Sequence, residues 1–208
     1  QHGFTGTVEQ TLASRLGRQL DDRLANLGRL LFFDPVLGMH GDNACADIMN
    51  VLVLGATGSV GRLVVEEALR RGHSVTALVR RPEKLGASAN RVRAEEGDAL
   101  DAGAVSRAVA GEDAILYVLG AGNVRQTTLF SESTKILLKA MTDQGMRRLI
   151  CVTGVGAGET KGHGGFLYDR ILYPLFTKGI YADKDVQERL VRQSGLDWTI
   201  VRPAPFRT

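Results

Sequence analysis

The run VLVLGATGSVGRLVVEEAL, residues 51–69, constrains this chain more than any other stretch. Val51–Leu54 is aliphatic on both faces, as a central parallel strand must be when helices cover both sides of its sheet. Gly55, Gly58 and Gly61 follow at intervals of three. Ser59–Arg71 then shows helical spacing, with Val60, Leu63, Val64, Ala68 and Leu69 on one face and Gly72 as the stop. A second aliphatic run, Ser74–Val79, closes a strand–turn–helix–strand unit of about thirty residues.

Each glycine has a physical task in such a turn. Gly55 permits the tight reversal, Gly58 the close approach of a ligand, and Gly61 the contact of helix with strand. A diphosphate approaching the amides at a helix N-terminus needs a turn free of side chains. A glycine pattern alone is weak, but here the strand before it and the helix after it are both present. The reading is a dinucleotide-binding turn, against the plainer one of a structural turn.

The end of the second strand bears on which dinucleotide. An acidic residue there holds the ribose hydroxyls of NAD and repels a 2′-phosphate. This chain places Arg80-Arg81 there. A guanidinium pairs with phosphate in a two-pronged geometry. NADP(H) is therefore expected ahead of NAD(H), the plain alternative being two solvated arginines before Pro82.

Alternation continues to the end of the sequence. Strands are expected at Asn90–Ala94, Ala114–Leu119, Arg148–Thr153 and Trp198–Val201. Helices are expected through Val105 and Val109, over Thr128–Gln144 with Ile136, Leu137, Leu138 and Met141 apolar, and over Asp183–Arg192 with Val186, Leu190 and Val191 inward. Such alternation means an α/β fold, a doubly wound Rossmann-type parallel sheet with right-handed crossovers. Ligands then sit at the carboxyl ends of the strands, here Gly55, Arg80, Asp98, Gly120, Thr153 and Pro203.

Residues 49–208 resemble the atypical short-chain dehydrogenase/reductase family, of the NAD(P)H-binding type related to flavin/biliverdin-IX-beta reductases and NmrA-like proteins. The strings that carry the resemblance are GATGSVG, Arg80-Arg81, Gly97-Asp98-Ala99, Leu119-Gly120-Ala121-Gly122, VTGVGAG from Val152 and SGLDWTIVRPAPF. The resemblance implies that Thr57, Gly58, Ser59 and Val60 meet the phosphates, and that Arg80 and Arg81 take the adenosine 2′-phosphate. It places Asp98 and Ala99 beside the adenine, Leu119 and Gly120 beside ribose and diphosphate, and Thr153 and Pro203 beside the nicotinamide. It also implies an oxidoreductase that passes hydride to a small organic acceptor, or a sensor of the NmrA-like kind that binds NADP(H) without chemistry. The family's Y-x-x-x-K is missing. Tyr181 and Lys184 stand three apart instead of four, so Lys184 as ribose holder and Tyr181 as proton donor join Thr153 as the catalytic candidates. Tyr168 and His163 fall in a glycine-rich segment, 154–179, that reads as a lid or as plain loop.

Residues 1–48 have a different character. TLASRLGRQLDDRLANLGRLL, residues 11–31, sets a leucine every three or four positions and reads as an amphipathic helix ended by Asp34-Pro35. LGRLLFFDPVLGMHGDNACA, residues 27–46, resembles the start of bacterial di-haem cytochrome c peroxidases and their MauG-like relatives. That family continues into C-x-x-C-H, of which Cys45 and Ala46 match the opening. Ile48 and Met49 stand where the second Cys and the His belong, and His40 is a lone loop imidazole. One thiol without an axial imidazole makes no c-type site, so no haem is expected. The arm reads as a fusion-like fragment ahead of a domain over 49–208, its leucine stripe packed on that domain or on a second copy of the chain. The C-terminus reads as cut short of the family's substrate-side segment.

Composition narrows the partners. The net charge of +3 is small and scattered, and aromatics are 6%, which argues against a nucleic-acid surface. No apolar run reaches membrane-spanning length. Cys45 and Cys151 are unlike in setting, Cys151 lying in an apolar run as a buried thiol. A small-molecule substrate, a homo-oligomer as one option and a cytoplasmic location complete the expectation, with no metal site.

Overall fold

A computed structural model describes residues 48–121, 127–154 and 178–203. The leucine-striped arm with His40 and Cys45, and the segment bearing His163 and Tyr168, lie outside the described residues. Six strands form one all-parallel sheet: β1 (Asn50–Leu54), β2 (Ser74–Val79), β3 (Arg93–Glu96), β4 (Ala114–Tyr117), β5 (Arg148–Val152) and β6 (Asp197–Val201). Their order is β3-β2-β1-β4-β5-β6. Four helices connect them: α1 (Ser59–Arg70), α2 (Ala102–Val109), α3 (Leu129–Asp143) and α4 (Lys178–Gln193). The fold is an α/β, doubly wound, Rossmann-type sheet.

The pleat of β1 explains the layering. Successive side chains point to opposite faces. Val51 and Val53 pack with Val64, Val65 and Ala68 of α1. Leu52 and Leu54 pack with Val105 of α2, Leu137 and Met141 of α3, and Val191 of α4. Both faces of β1 are thus dry, which the unbroken VLVL run requires. The chain steps from β1 to β2 in one direction and returns at β4 on the other side of β1. The crevice at the carboxyl ends opens at that reversal.

Two expectations are corrected. The third strand is Arg93–Glu96, not Asn90–Ala94, because Pro82–Arg91 winds as a 3₁₀ helix bent at Gly86, where φ is +59°. Leu85 and Ser88 of that segment are buried, and the Ser88 hydroxyl donates to Glu66 of α1 at 2.6 Å. The chain is free to pair only once Arg93 reaches Thr76. Helix α4 begins at Lys178 rather than Asp183, and of the expected inward stripe Val186, Leu190 and Val191 only Val191 is fully buried. Asp183, Gln187, Glu188 and Val191 are buried, while Val186 and Leu190 are half-buried. Polar partners on α3 and β5 turn the helix to that face. The Gln187 amide donates to Thr134 at 3.1 Å, and Asp183 accepts from the amides of Phe130 and Ser131.

Candidate functional site

The glycine turn has the geometry its three tasks demand. Gly55 takes φ +93°, and a Cβ there would lie 2.7 Å from the Val118 carbonyl oxygen. A Cβ on Gly61 would lie 2.0 Å from the Gly55 carbonyl oxygen, so α1 rests directly on the turn. Gly58 is less crowded, its would-be Cβ 3.3 Å from the same oxygen. Gly58 donates to the Gly55 carbonyl at 3.0 Å and closes the turn. It is the N-cap of α1 and brings no side-chain cap, and no acidic residue sits in the first turn. The opening amides of α1, at Ser59, Val60 and Gly61, are therefore left for an anion, with the positive end of the helix dipole behind them. A dinucleotide's diphosphate fits that cradle in charge and in steric clearance.

A cavity of about 590 Å³ runs from this turn across the carboxyl ends of β1 to β4. Gly55, Thr57, Gly58, Arg80, Asp98, Ala99, Leu119 and Gly120 all line it, as the sequence expectation has them. So do Arg62, Lys84, Leu100 and Leu129, which that expectation omits. Arg62 follows the third glycine directly, and Lys84 stands four residues beyond Arg80. Arg81, which is exposed, and Ser59, Val60 and Gly61, expected there too, are not among the lining residues. The lining charges are three cations, Arg62, Arg80 and Lys84, against the single carboxylate of Asp98. Asp98 sits 3.8 Å from Arg80, with both side chains well exposed. Such a surface pair is worth little, so Arg80 can turn to a phosphate at small cost. A hollow of similar volume, about 570 Å³, lies at the opposite, amino ends of β1 and β2, lined by His73, Arg93 and Glu112 among others. It lacks the three-glycine turn at a helix N-terminus and lies away from the crevice that the fold uses for ligands.

The second group of candidates gathers where β5 meets α4. Lys184 donates to the Thr153 carbonyl at 2.8 Å and lies 4.5 Å over the Phe130 ring. Burial pulls its pKa below the ordinary lysine value, against Cys151, Glu188 and Asp183, which pull upward. The Tyr181 hydroxyl lies 3.6 Å from where a Cβ of Gly154 would stand. Thr153, Lys184 and Tyr181 are thus brought together, with Pro203 half-buried just beyond the end of β6. The sequence does not reveal the carboxylate that organises them. The Thr153 hydroxyl donates to Glu188 at 2.7 Å, and Arg202 grips both oxygens of that carboxylate. Burial pushes the Glu188 carboxyl up, but the hydrogen bonds from Arg202 and Thr153 and the Arg202 charge outweigh it and hold the group below its ordinary value. With its proton committed to Glu188, the Thr153 hydroxyl oxygen has only its lone pairs left, as an acceptor. Cys151 beside them is 1% exposed, and burial pushes its thiol up to about 12, so it is inert as a nucleophile.

Glu188→Gln tests this carboxylate. A group whose pKa falls on folding adds stability above its unfolded value, here 4.5, and loses it as pH falls toward the folded value. Wild type is expected to melt well above the variant at pH 7, and the gap should close as pH drops below about 4.5. A gap that stays constant across that range would show that the charge on Glu188 is not what matters.

Among the described residues, no cluster of three or more His, Cys, Asp or Glu is placed to hold a metal ion, and no helix is long and apolar enough to cross a membrane.

Residues 55–208 match a family described as NAD(P)H-binding. The chain is 30% identical over 156 residues to a (4-alkanoyl-5-oxo-2,5-dihydrofuran-3-yl)methyl phosphate reductase of Streptomyces griseus, across 75% of this chain and 48% of that protein. It therefore spans about half the length of that relative. It is also 30% identical over 169 residues to a Bacillus subtilis protein described as an uncharacterized sugar epimerase, across 76% and 73% of the two chains. Among solved structures, a short-chain dehydrogenase/reductase of Veillonella parvula in complex with NADP aligns with a TM-score of 0.63 at 17% identity, over 75% of this chain and 69% of that one. An anaerobillin reductase of Escherichia coli O157:H7 aligns with a TM-score of 0.62 at 23% identity, over 74% and 71%. At those identities the likeness is one of fold.

Proposed function

The chain belongs to the NAD(P)H-binding family, and we propose that it binds NADP(H) in preference to NAD(H) and passes hydride between it and a small organic acceptor. The observation that carries the reading is the groove itself. An uncapped helix N-terminus faces one end, and Arg80 and Lys84 line the end of β2, where an NAD-selective site would carry an acid. In this reading the opening amides of α1 take the diphosphate, Arg80 the 2′-phosphate with Arg81 beside it, and Asp98 and Ala99 flank the adenine. Leu119 and Gly120 line the ribose and diphosphate.

The reduced nicotinamide supplies the hydride. The chain's own part at that end is positioning and exclusion of water. Thr153 accepts a hydrogen bond from the cofactor, Lys184 holds the ribose, and Pro203 closes the nicotinamide side. Tyr181 is the candidate proton donor, since the Thr153 hydroxyl is engaged by Glu188.

That engagement also favours a second reading, a nucleotide sensor without chemistry. Oxidation of NADPH with flavin or quinone acceptors separates the two: turnover supports the reductase, and tight binding without turnover supports the sensor.

The binding claim is tested by calorimetric titration of NADPH and NADH into the wild type and Arg80→Glu. The substitution is expected to weaken NADPH by about a hundredfold, by removing a charge-assisted contact and placing a carboxylate against the phosphate, while NADH changes little. Equal affinity of the wild type for both nucleotides would overturn the NADP(H) preference.

A further inference from the structure

The loop that carries Arg80 is held in place by a residue not yet given a role. Arg62 lies on α1, directly after the third glycine of the turn. Its Nε donates to the Thr57 carbonyl at 3.1 Å, and its Nη2 donates to the Lys84 carbonyl, also at 3.1 Å. Those two carbonyls belong to different segments, the glycine turn after β1 and the loop after β2, and both segments line the groove.

One turn along α1, Glu66 accepts from Ser88 at 2.6 Å and pairs with Arg91 at 3.4 Å. Arg62 and Glu66 are four residues apart and so share one face of the helix. Together they grip the segment Pro82–Arg91 at both ends, with Leu85 buried between them. Glu66 holds the far end and Arg62 holds the end at the groove.

Arg80 needs such support. Its side chain is 78% exposed, and Asp98 at 3.8 Å is a weak tether. Where its guanidinium sits is therefore decided by the backbone that follows it. We infer that Arg62 is a positioning residue for nucleotide selectivity: by bridging Thr57 and Lys84 it sets the spacing between the diphosphate cradle and the cation that meets the 2′-phosphate. This rests on the proposed NADP(H) site. A planar fork with several fixed donors suits a bridge between two carbonyls; a lysine ammonium keeps the charge but not that geometry.

The experiment uses the whole chain as wild type, Arg62→Lys and Arg62→Met, with Arg80→Ala alone and combined with Arg62→Met. NADPH and NADH affinities are read by calorimetry. Amide exchange over 81–91 is read in nucleotide-free protein. Both Arg62 variants are expected to lose about tenfold in NADPH affinity, and less than about threefold in NADH affinity, with faster exchange over 81–91. Arg80→Ala should cost little more in the Arg62→Met background, since the two act as a unit. Wild-type selectivity in Arg62→Lys would overturn the inference, because charge alone would then explain Arg62. So would equal losses for both nucleotides. Unchanged exchange over 81–91 would overturn the brace without reference to any nucleotide, whereas faster exchange in a chain whose wild type shows no preference for NADPH would overturn the proposed site and leave the brace as packing only.

Discussion

Gly61→Ala is expected to destabilise the fold by on the order of 3 kcal/mol and to abolish nucleotide binding. The added Cβ would stand 2.0 Å from the Gly55 carbonyl oxygen, 2.7 Å from its carbon and 2.9 Å from the Ala56 Cα. All three are backbone atoms, so no side-chain rotation relieves the overlap. Helix α1 must lift from the turn, which parts Val64, Val65 and Ala68 from Val51 and Val53 and displaces the opening amides of the helix. Gly58→Ala is the informative contrast. Its Cβ meets the Gly55 oxygen at 3.3 Å, and its φ of −73° suits alanine. It should keep stability within about 1 kcal/mol yet lose affinity, because the methyl stands where the proposed site takes a diphosphate. Denaturant unfolding followed by the fluorescence of Trp198, the sole tryptophan, reads stability, and calorimetry reads binding. Equal stability of Gly61→Ala and wild type would remove the helix-on-turn contact from the account.

Asp183→Ala is expected to cost about 3 kcal/mol, a fall in Tm of roughly 6–12 °C. Thr128, the N-cap of α3, offers no side-chain cap. The carboxylate of Asp183, reaching across from α4, accepts from the amides of Phe130 at 2.8 Å and Ser131 at 3.3 Å. Asp183 is 6% exposed, so water does not replace it readily. Its loss strands two buried donors at the positive end of a helix dipole, beyond the ordinary cost of a missing cap. The damage should extend to the neighbouring Lys184, whose place over Phe130 depends on the same α3–α4 contact. Asp183→Asn keeps one acceptor oxygen and should fall between. Thermal melts of the three proteins decide the matter; an unchanged Tm in Asp183→Ala would mean that the α3 terminus finds another acceptor.

How much of this was legible follows from how far apart the partners lie in the chain. The glycine turn reads directly, because Gly55 and Gly61 are six residues apart and their conflict with any Cβ is local. The strand edges that pair with near neighbours read well, and β2 is where its aliphatic run puts it. The third strand starts three residues later than the alternation over Asn90–Ala94 suggests, because Leu85 and Ser88 are held down by α1. On helix α4 the apolar pattern finds Val191 but not the buried polar residues Asp183, Gln187 and Glu188. A polar residue on a helix looks solvent-facing in a sequence, and only a partner elsewhere says otherwise. Gln187 meets Thr134 from 53 residues away, Glu188 meets Thr153 from 35, and Arg62 meets Lys84 from 22.

The sequence by itself determined the doubly wound sheet, the glycine turn at the start of α1 and the place of Arg80 at the end of β2, because strand, turn and helix signals act over a few residues and repeat with the period of each element. The tertiary structure decided the rest: which face α4 buries, what caps α3, that the Thr153 hydroxyl donates its hydrogen bond to Glu188, and that Arg62 ties two loops together. Those contacts are single hydrogen bonds between distant positions. They leave no periodic trace in the chain, and they exist only once the sheet has brought its carboxyl ends to one edge.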